Sequence, residues 1–238
     1  ETAQSLTINN AALLPQNAKN WDVSLDYYFE PVGNLSVGFF HKTIRDFIVT
    51  GINGGTIGTG TDNGYAGEYG GFTRLSSANA GTAFVQGWEF SYQQQFTFLP
   101  GLFKGLSGSL NYTVLDTHGN FGSTTYLSNG QVTGFIPKAA NAMLSWRYKR
   151  FGTRVLYNWT GDYIVEYSAA SVGRNRWRQA MDTVNLGLSY QVSPKLGLTF
   201  DVSNLFNEPQ VIYRGIRSQP STINYNFITI NVGVNGRF

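Results

Sequence analysis

The sequence predicts an all-β fold, an antiparallel transmembrane β-barrel to which this chain contributes about nine strands. Residues 228–238 show the pattern most clearly, because Ile230, Val232 and Val234 fall on one face of a strand and polar residues or glycine on the other. The composition agrees with this, since charged residues make up only 13% of the 238 residues, against about 25% in typical soluble domains. The sequence contains no run of about twenty apolar residues, so it predicts no helical membrane span.

Each predicted strand carries an apolar residue at every second position, as expected for a strand with one face in lipid. The first strand is defined by Trp21, Val23, Leu25, Tyr27 and Phe29, and the second by Leu35, Val37 and Phe39. The third is defined by Trp88, Phe90, Tyr92, Phe96 and Phe98, and the fourth by Leu106, Leu110, Tyr112 and Val114. The fifth strand is defined by Ala142, Leu144, Trp146 and Tyr148, and the sixth by Val155, Tyr157 and Trp159. The seventh is defined by Val184, Leu186, Leu188 and Tyr190, the eighth by Leu198, Phe200 and Val202, and the ninth by the terminal stretch.

The connections between these strands alternate between short and long, which is the rule in outer-membrane barrels. The short turns are 31–34, 100–105, 150–152 and 193–195, and the long loops are 53–81, 119–133, 168–178 and about 207–222. The long loops are therefore expected outside the cell. Glycine density in 53–81 predicts an irregular, adaptable loop, and a slip in the alternation near 41–45, within a second strand that extends to about residue 52, predicts a β-bulge.

Two groups of loop residues are the candidate ligand-binding positions. They are Tyr65, Glu68 and Tyr69 in the glycine-rich loop, and Arg174, Arg176, Trp177 and Arg178 in the third loop. Guanidinium groups bind carboxylates and phosphates through paired hydrogen bonds, and the tyrosine group could stack on a sugar or a chelate. The alternatives are a mobile loop for the first group, and contact with anionic lipopolysaccharide or plain solvation for the second.

Several segments, taken together, resemble TonB-dependent outer-membrane receptors. They are residues 201–207 (Asp-Val-Ser-Asn-Leu-Phe-Asn) before the last loop, residues 14–18 (Leu-Pro-Gln-Asn-Ala), residues 135–139 (Phe-Ile-Pro-Lys-Ala) and the terminal strand ending in Phe238. The sequence departs from the family pattern at Gln16, where an acidic residue is common, and at Gly236, where a bulky residue is more usual.

The resemblance implies that residues 1–238 form the carboxyl-terminal part of a barrel of about 22 strands, with the plug domain and the TonB box outside this chain. It implies location in the outer membrane of a Gram-negative bacterium and uptake of a siderophore, cobalamin, glycan or peptide. The implied partners are outer-membrane lipid and lipopolysaccharide, the rest of the receptor including the plug, the TonB system, the barrel-insertion machinery and a small ligand.

The resemblance also implies that the terminal strand is read as an assembly signal. The residues concerned are Phe238, Val234, Val232 and Ile230, which share one face. The alternative is that Phe238 is simply a lipid-facing aromatic residue.

Other classes of function find less support in the sequence. A passive porin-like channel is the second hypothesis, and a plug domain is the feature that separates it from a receptor. A soluble β-sandwich would need the outward aromatic residues to form a buried core. A barrel enzyme would need a histidine together with a carboxylate or a serine. Only His41 and His118 are available, and no serine or second carboxylate is tied to His118 by its spacing, so no catalytic residue is assigned. The chain has no cysteine and no basic block, so we expect no metal site, no cofactor and no nucleic-acid partner.

Overall fold

The computed structural model describes residues 4–79, 81–119, 130–168 and 171–236. In chain order its elements are β1 (Ser5–Thr7), β2 (Asn17–Phe29), β3 (Gly33–Arg45), β4 (Ile48–Thr56), β5 (Thr73–Asn79), β6 (Ala83–Gln95), the 3₁₀ helix η1 (Gly101–Gly105), β7 (Leu106–Gly119), β8 (Lys138–Tyr148), β9 (Phe151–Thr160), β10 (Tyr163–Glu166), the 3₁₀ helix η2 (Val172–Arg174), β11 (Arg176–Arg178), β12 (Met181–Ser193), β13 (Leu196–Ser203), β14 (Gln210–Arg214), β15 (Pro220–Asn224) and β16 (Thr229–Gly236). Neither helix is long and apolar enough to cross a membrane.

The main sheet has nine strands within the described residues, in the order β16-β13-β12-β9-β8-β7-β6-β3-β2. All of its neighbouring pairs are antiparallel. The connections 30–32, 96–105, 149–150 and 194–195 are short, and those at 46–82, 120–137, 161–180 and 204–228 are long. The nine predicted strands and the alternation of short and long connections are therefore confirmed. The barrel is not closed over the described ranges, because β2 and β16 are the edges of this sheet and no described strand pairs with their outer sides.

One face of the main sheet is apolar from edge to edge. Val23 lies opposite Phe39, Phe39 opposite Trp88 and Trp88 opposite Val114, so a continuous apolar row crosses four strands. Phe200 and Val232 continue this face at the other edge. These side chains are not covered by protein: Val232 is 76% exposed. A soluble protein buries such a surface, whereas a transmembrane barrel presents it to lipid, so we refer to this face as the outward face.

Aromatic side chains contact one another at the end of the sheet that carries the short connections. The ring centroids of Tyr27 and Phe29 are 5.9 Å apart, as are those of Trp146 and Tyr148 and those of Trp146 and Phe151. Offset and edge-to-face contacts at these distances are favourable. Aromatic girdles mark the membrane interface of barrels, so this row has the position of such a girdle beside the short connections.

Two predictions about the second strand are wrong. It was expected to extend to about residue 52 with a bulge near 41–45, but β3 pairs without a register shift and ends at Arg45. Asp46 then adopts a left-handed conformation with a φ of 55°, which aspartate tolerates better than most residues. The chain leaves the main sheet at this point, and β4 belongs to a different sheet.

The long loops contain more regular structure than the sequence predicts. Within 53–81, where glycine was expected to prevent strands, β5 pairs with β4 antiparallel and with β1 in parallel. The third and fourth long connections contribute β10 with β11, and β14 with β15, to a four-stranded sheet. The third main strand is also shorter than predicted, since β6 ends at Gln95 and η1 occupies part of the following turn.

The buried apolar residues lie mainly at the end of the sheet with the long connections. Ala83 and Val132 are almost completely buried and pack with Phe47 and Tyr167. The amide of Val132 donates a hydrogen bond of 3.2 Å to the hydroxyl of Thr117, which points to the face opposite the outward one. Residues after 130 therefore fold over the polar face of the sheet, which we call the inner face.

Candidate functional site

A four-stranded antiparallel sheet, here called the loop sheet, is built from the third and fourth long connections. Its strand order is β10-β11-β14-β15. Trp177 on β11 lies opposite Ile164 on β10 and opposite Tyr213 on β14. Because neighbours across strands share a face, these three residues form one face of the loop sheet. Arg176 and Arg178 are the alternate positions of β11 and lie on the other face.

A cavity of about 580 Å³ lies at the loop sheet on the side of Trp177. The lining residues with polar or aromatic side chains are Asp162, Asn175, Trp177, Tyr213, Arg214 and Gln219. Ligand sites of this kind combine aromatic walls with a few placed hydrogen-bonding groups. Trp177 is therefore the one sequence-predicted candidate that lines this cavity.

A charged pair lies beside this cavity, and its carboxylate lines it. Asp162 accepts a hydrogen bond of 2.6 Å from the amide of Ala180 and forms an ion pair with Arg217. Arg217 also interacts electrostatically with the hydroxyl of Tyr213, which is buried. Burial raises the pKa of the Tyr213 phenol, and the Asp162 carboxylate raises it further. The Tyr213 hydroxyl therefore keeps its proton at neutral pH and can donate a hydrogen bond to an acceptor.

The turn after β14 approaches η2 closely, and this contact shapes the cavity. Gly215 has a φ of +66°, and a Cβ atom there would lie 2.5 Å from the carbonyl oxygen of Gly173, so only glycine fits. The amide of Gly215 donates to the carbonyl of Asn175 at 3.1 Å. Asn175 is 1% exposed, and its side-chain oxygen accepts a hydrogen bond of 2.9 Å from the amide of Ser168. The third and fourth long connections are thereby fixed to each other.

Two predicted arginines contact groups within the loop sheet. Arg176 forms an ion pair of 2.8 Å with Glu166. Arg178 directs two nitrogens to the side-chain oxygen of Gln210, at 3.0 and 2.7 Å. Arg174 lies at the end of η2 and does not line the cavity. The predicted group of Arg174, Arg176, Trp177 and Arg178 is thus divided between two faces of the loop sheet.

The second predicted group lies in the turn between β4 and β5. The rings of Tyr65 and Tyr69 meet edge to face with centroids 5.8 Å apart, and Glu68 is exposed. The sequence analysis missed Asn63, whose amide group organises this turn. Its nitrogen donates to the carbonyls of Gly58 and Glu68, and its oxygen accepts from the amides of Tyr65 and Gly67, at 2.8 to 3.1 Å. An Asn before such turns is the usual sequence signal for this arrangement.

The two histidines point to the outward face. His118 lies 3.1 Å from Asp116, Gln86 donates to Asp116 at 3.2 Å, and His41 contacts Gln86 at 3.1 Å. Asp116 and His118 share the outward parity of Val114 on β7. In the part of the chain that the structure describes, no three His, Asp or Glu side chains are grouped to hold a metal ion.

The assembly-signal residues that can be located lie on β16. Ile230, Val232 and Val234 all point to the outward face, opposite Val202, Phe200 and Leu198. Phe238 lies outside the described residues.

A family model described as "TonB dependent receptor-like, beta-barrel" matches residues 2–205. Solved structures match in fold. The siderophore receptor PirA from Acinetobacter baumannii superposes with a TM-score of 0.70 and 15% identity, over 98% of this chain and 33% of that one. The ferric-catecholate import receptor Fiu from Escherichia coli K12 gives 0.66 and 16%, over 99% and 30%.

A variant of the ferric enterobactin receptor PfeA from Pseudomonas aeruginosa gives a TM-score of 0.63 and 17% identity, over 94% of this chain and 31% of that one. The chain therefore spans about a third of the length of these receptors. No curated protein sequence matches it.

Proposed function

Because this chain belongs to the TonB-dependent receptor-like β-barrel family, we propose that it is the transmembrane part of a receptor for TonB-dependent uptake of a small ligand. The chain is an outer-membrane β-barrel protein of a Gram-negative bacterium. The family and the similar structures are receptors and transporters rather than enzymes.

The observation that carries this proposal is the form of the main sheet. Its outward face is apolar, its connections alternate in length, and among the described residues neither β2 nor β16 pairs with a further strand. An open sheet edge is not tolerated in lipid, where backbone groups have no water to bind. We propose that the remainder of the receptor supplies the strands that close a barrel of about 22 strands, together with the plug domain and the contact with TonB.

Ferric siderophores are the first ligand class to test. The similar structures are named as receptors for siderophores, for ferric catecholates and for ferric enterobactin. The cavity beside Trp177 and Tyr213 fits an aromatic ligand with polar groups, since it offers two rings and a protonated phenol. On this proposal the cavity captures the ligand outside the cell. The loop residues Tyr65, Glu68, Tyr69, Arg174, Arg176 and Arg178 are further contact candidates.

The proposal predicts that uptake depends on energy delivered by TonB. The complete receptor gene would be expressed in a host that lacks its own siderophore receptors, and uptake of radioactive iron would be measured with a panel that includes ferric enterobactin. We expect accumulation in cells with TonB and none above background in cells without it or treated with a protonophore. Uptake that persists without TonB would instead support a passive porin-like channel.

We propose, in addition, that the terminal strand carries the signal for barrel assembly. Ile230, Val232 and Val234 form an apolar row on β16, and Phe238 follows with the same parity in the sequence. The Phe238→Ser change is expected to remove most of the receptor from the outer membrane, as measured by quantitative blotting of membrane fractions. The matched control is Phe98→Ser, an exposed aromatic residue in a short connection. Equal losses in the two variants would show that Phe238 acts only as a lipid-facing ring.

A further inference from the structure

A second cavity lies near the inner face, at the end of the main sheet with the short connections. It has a volume of about 430 Å³ and is bordered by the connection 149–150 and the connection 194–195. Four cationic residues line it: Arg147, Lys149, Arg150 and Lys195. None of its lining residues is acidic. We call this cavity the basic trough.

Small residues form part of the floor of the basic trough. Arg147 lies opposite Gly152, Gly152 opposite Ser189, and Ser189 opposite Thr199. The longer side chain of Gln191 lines the cavity beside them. The row of Gly152, Ser189 and Thr199 therefore offers glycine backbone and two hydroxyl groups, where an extended peptide can approach the sheet closely.

The acidic residue nearest to the basic trough already has a partner. Asp201 accepts a hydrogen bond of 3.1 Å from Arg154, although β12 lies between their strands. The bridge passes over Gly187, where a Cβ atom would lie 2.7 Å from Nε of Arg154 and 2.9 Å from Oδ1 of Asp201. The carboxylate of Asp201 is therefore paired with Arg154. This pair lies on the inner face, one cross-strand row away from Arg147.

The cations of the basic trough lack acidic partners among the described residues. Arg150 donates to the carbonyl of Val192 at 3.0 Å, which joins the connection 149–150 to the end of β12. Lys149 lies over the ring of Tyr148, 5.2 Å from its centroid. Arg147 and Lys195 are exposed, and within the described part of the chain neither side chain makes a hydrogen bond or ion pair.

The two ends of the sheet differ in the charge of their inner face. On β2, β3 and β6 this face carries Asp22, Asp26 and Glu89 together with one cation, Lys42, whereas β8 and the adjacent short connections carry the cations of the basic trough. An excess of one sign creates a field that selects the sign of whatever docks against that region.

We propose that the basic trough binds an acidic segment of the plug domain, the part of the receptor that lies inside the barrel if the proposed function is correct. The guanidinium group of Arg147 pairs with a carboxylate of this segment, Lys195 adds a second charge contact, and the hydroxyls of Ser189 and Thr199 bind its backbone. Charge complementarity favours an acidic occupant, because no carboxylate among the described residues pairs with these four cations.

Site-directed photo-crosslinking in the complete receptor, in native membranes, tests this proposal. A photo-reactive phenylalanine analogue would replace Thr199 in the basic trough or, as a control, Thr113, which lies on β7, a strand with no charged residue on its inner face. Mass spectrometry would identify the crosslinked peptide. We expect Thr199 to capture a plug peptide rich in Asp and Glu. In the Arg147→Glu and Lys195→Glu double variant this capture should fall by about tenfold, with the Thr113 crosslink unchanged.

The control variant Lys104→Glu reverses a charge on η1, outside the basic trough, and should leave both crosslinks unchanged. Capture at Thr199 of a plug peptide without carboxylates, or capture insensitive to the double variant, would overturn the proposal. If the double variant does not fold, the test is the identity of the peptide that Thr199 captures in the otherwise unaltered receptor. A plug peptide rich in Asp and Glu supports the proposal, and one without carboxylates overturns it. A complete receptor in which neither position crosslinks to a plug, and whose intact mass leaves no room for one, would overturn the proposed function as well.

Discussion

The Leu110→Arg substitution is expected to destabilise the folded barrel by about 2–4 kcal/mol, the cost of an arginine on the lipid face near the middle of the bilayer. Leu110 lies on the outward face of β7, opposite Tyr92 and Ala142, and is about half exposed. The Asn111→Arg substitution, one residue further along, places the same charge on the inner face, opposite Ser91 and Asn141. We expect it to change the free energy of unfolding by less than about 1 kcal/mol, because the inner face is wet.

The measurement is the folded fraction of each variant after refolding into lipid vesicles, read from the difference in gel mobility between heated and unheated samples. Titration with urea would then give the free energies of unfolding. A loss for Asn111→Arg as large as that for Leu110→Arg would mean that the inner face is not wet at this position, and it would contradict the assignment of the two faces.

The strands of the main sheet could be predicted because their pattern is local. Trp21 to Phe29 and Ile230 to Val234 alternate between lipid and water, and no distant contact is needed to recognise this. The ends of strands were less predictable, since they depend on single residues. Asp46 ends β3 through a left-handed backbone, whereas the apolar residues around it suggested that the strand continued.

The structure inside the long loops could not be read from periodicity. Glycine disfavours strands when no neighbour is present, yet β4 and β5 stabilise each other by pairing. The turn between them is held by Asn63, whose four hydrogen bonds reach residues within five positions. That signal was available in the sequence, but it is a feature of one residue and is easily overlooked in a loop.

The candidate site was predicted only in part for a different reason. Trp177 was identified by its neighbouring arginines, but its partners in the cavity come from elsewhere in the sequence. Asp162 and Arg217 are 55 positions apart and meet only because β10 and β14 flank the short strand β11. The Arg154–Asp201 pair spans 47 positions in the same way. Side-chain pairs of this separation follow from strand order, which alternation alone does not give.

The Trp177→Ala substitution is expected to weaken binding of the transported ligand by about 2 kcal/mol, or roughly 30-fold. Trp177 forms a wall of the loop-sheet cavity, opposite Tyr213. An aromatic residue that covers a ligand in a partly dry cavity provides much of the binding energy, because it excludes water and contacts the ligand over a large area. The dissociation constant of the complete receptor would be measured by calorimetry in detergent, with the ligand that the uptake experiments identify.

The control is Trp159→Ala, which removes the same side chain from the outward face of β9, away from the cavity. It should leave the dissociation constant within about twofold of the unaltered receptor, a difference below half a kcal/mol. If Trp177→Ala also stayed within this range while Tyr69→Ala weakened binding, ligand capture would belong to the turn between β4 and β5. The edge-to-face pair of Tyr65 and Tyr69 would then be the aromatic surface that the ligand contacts first.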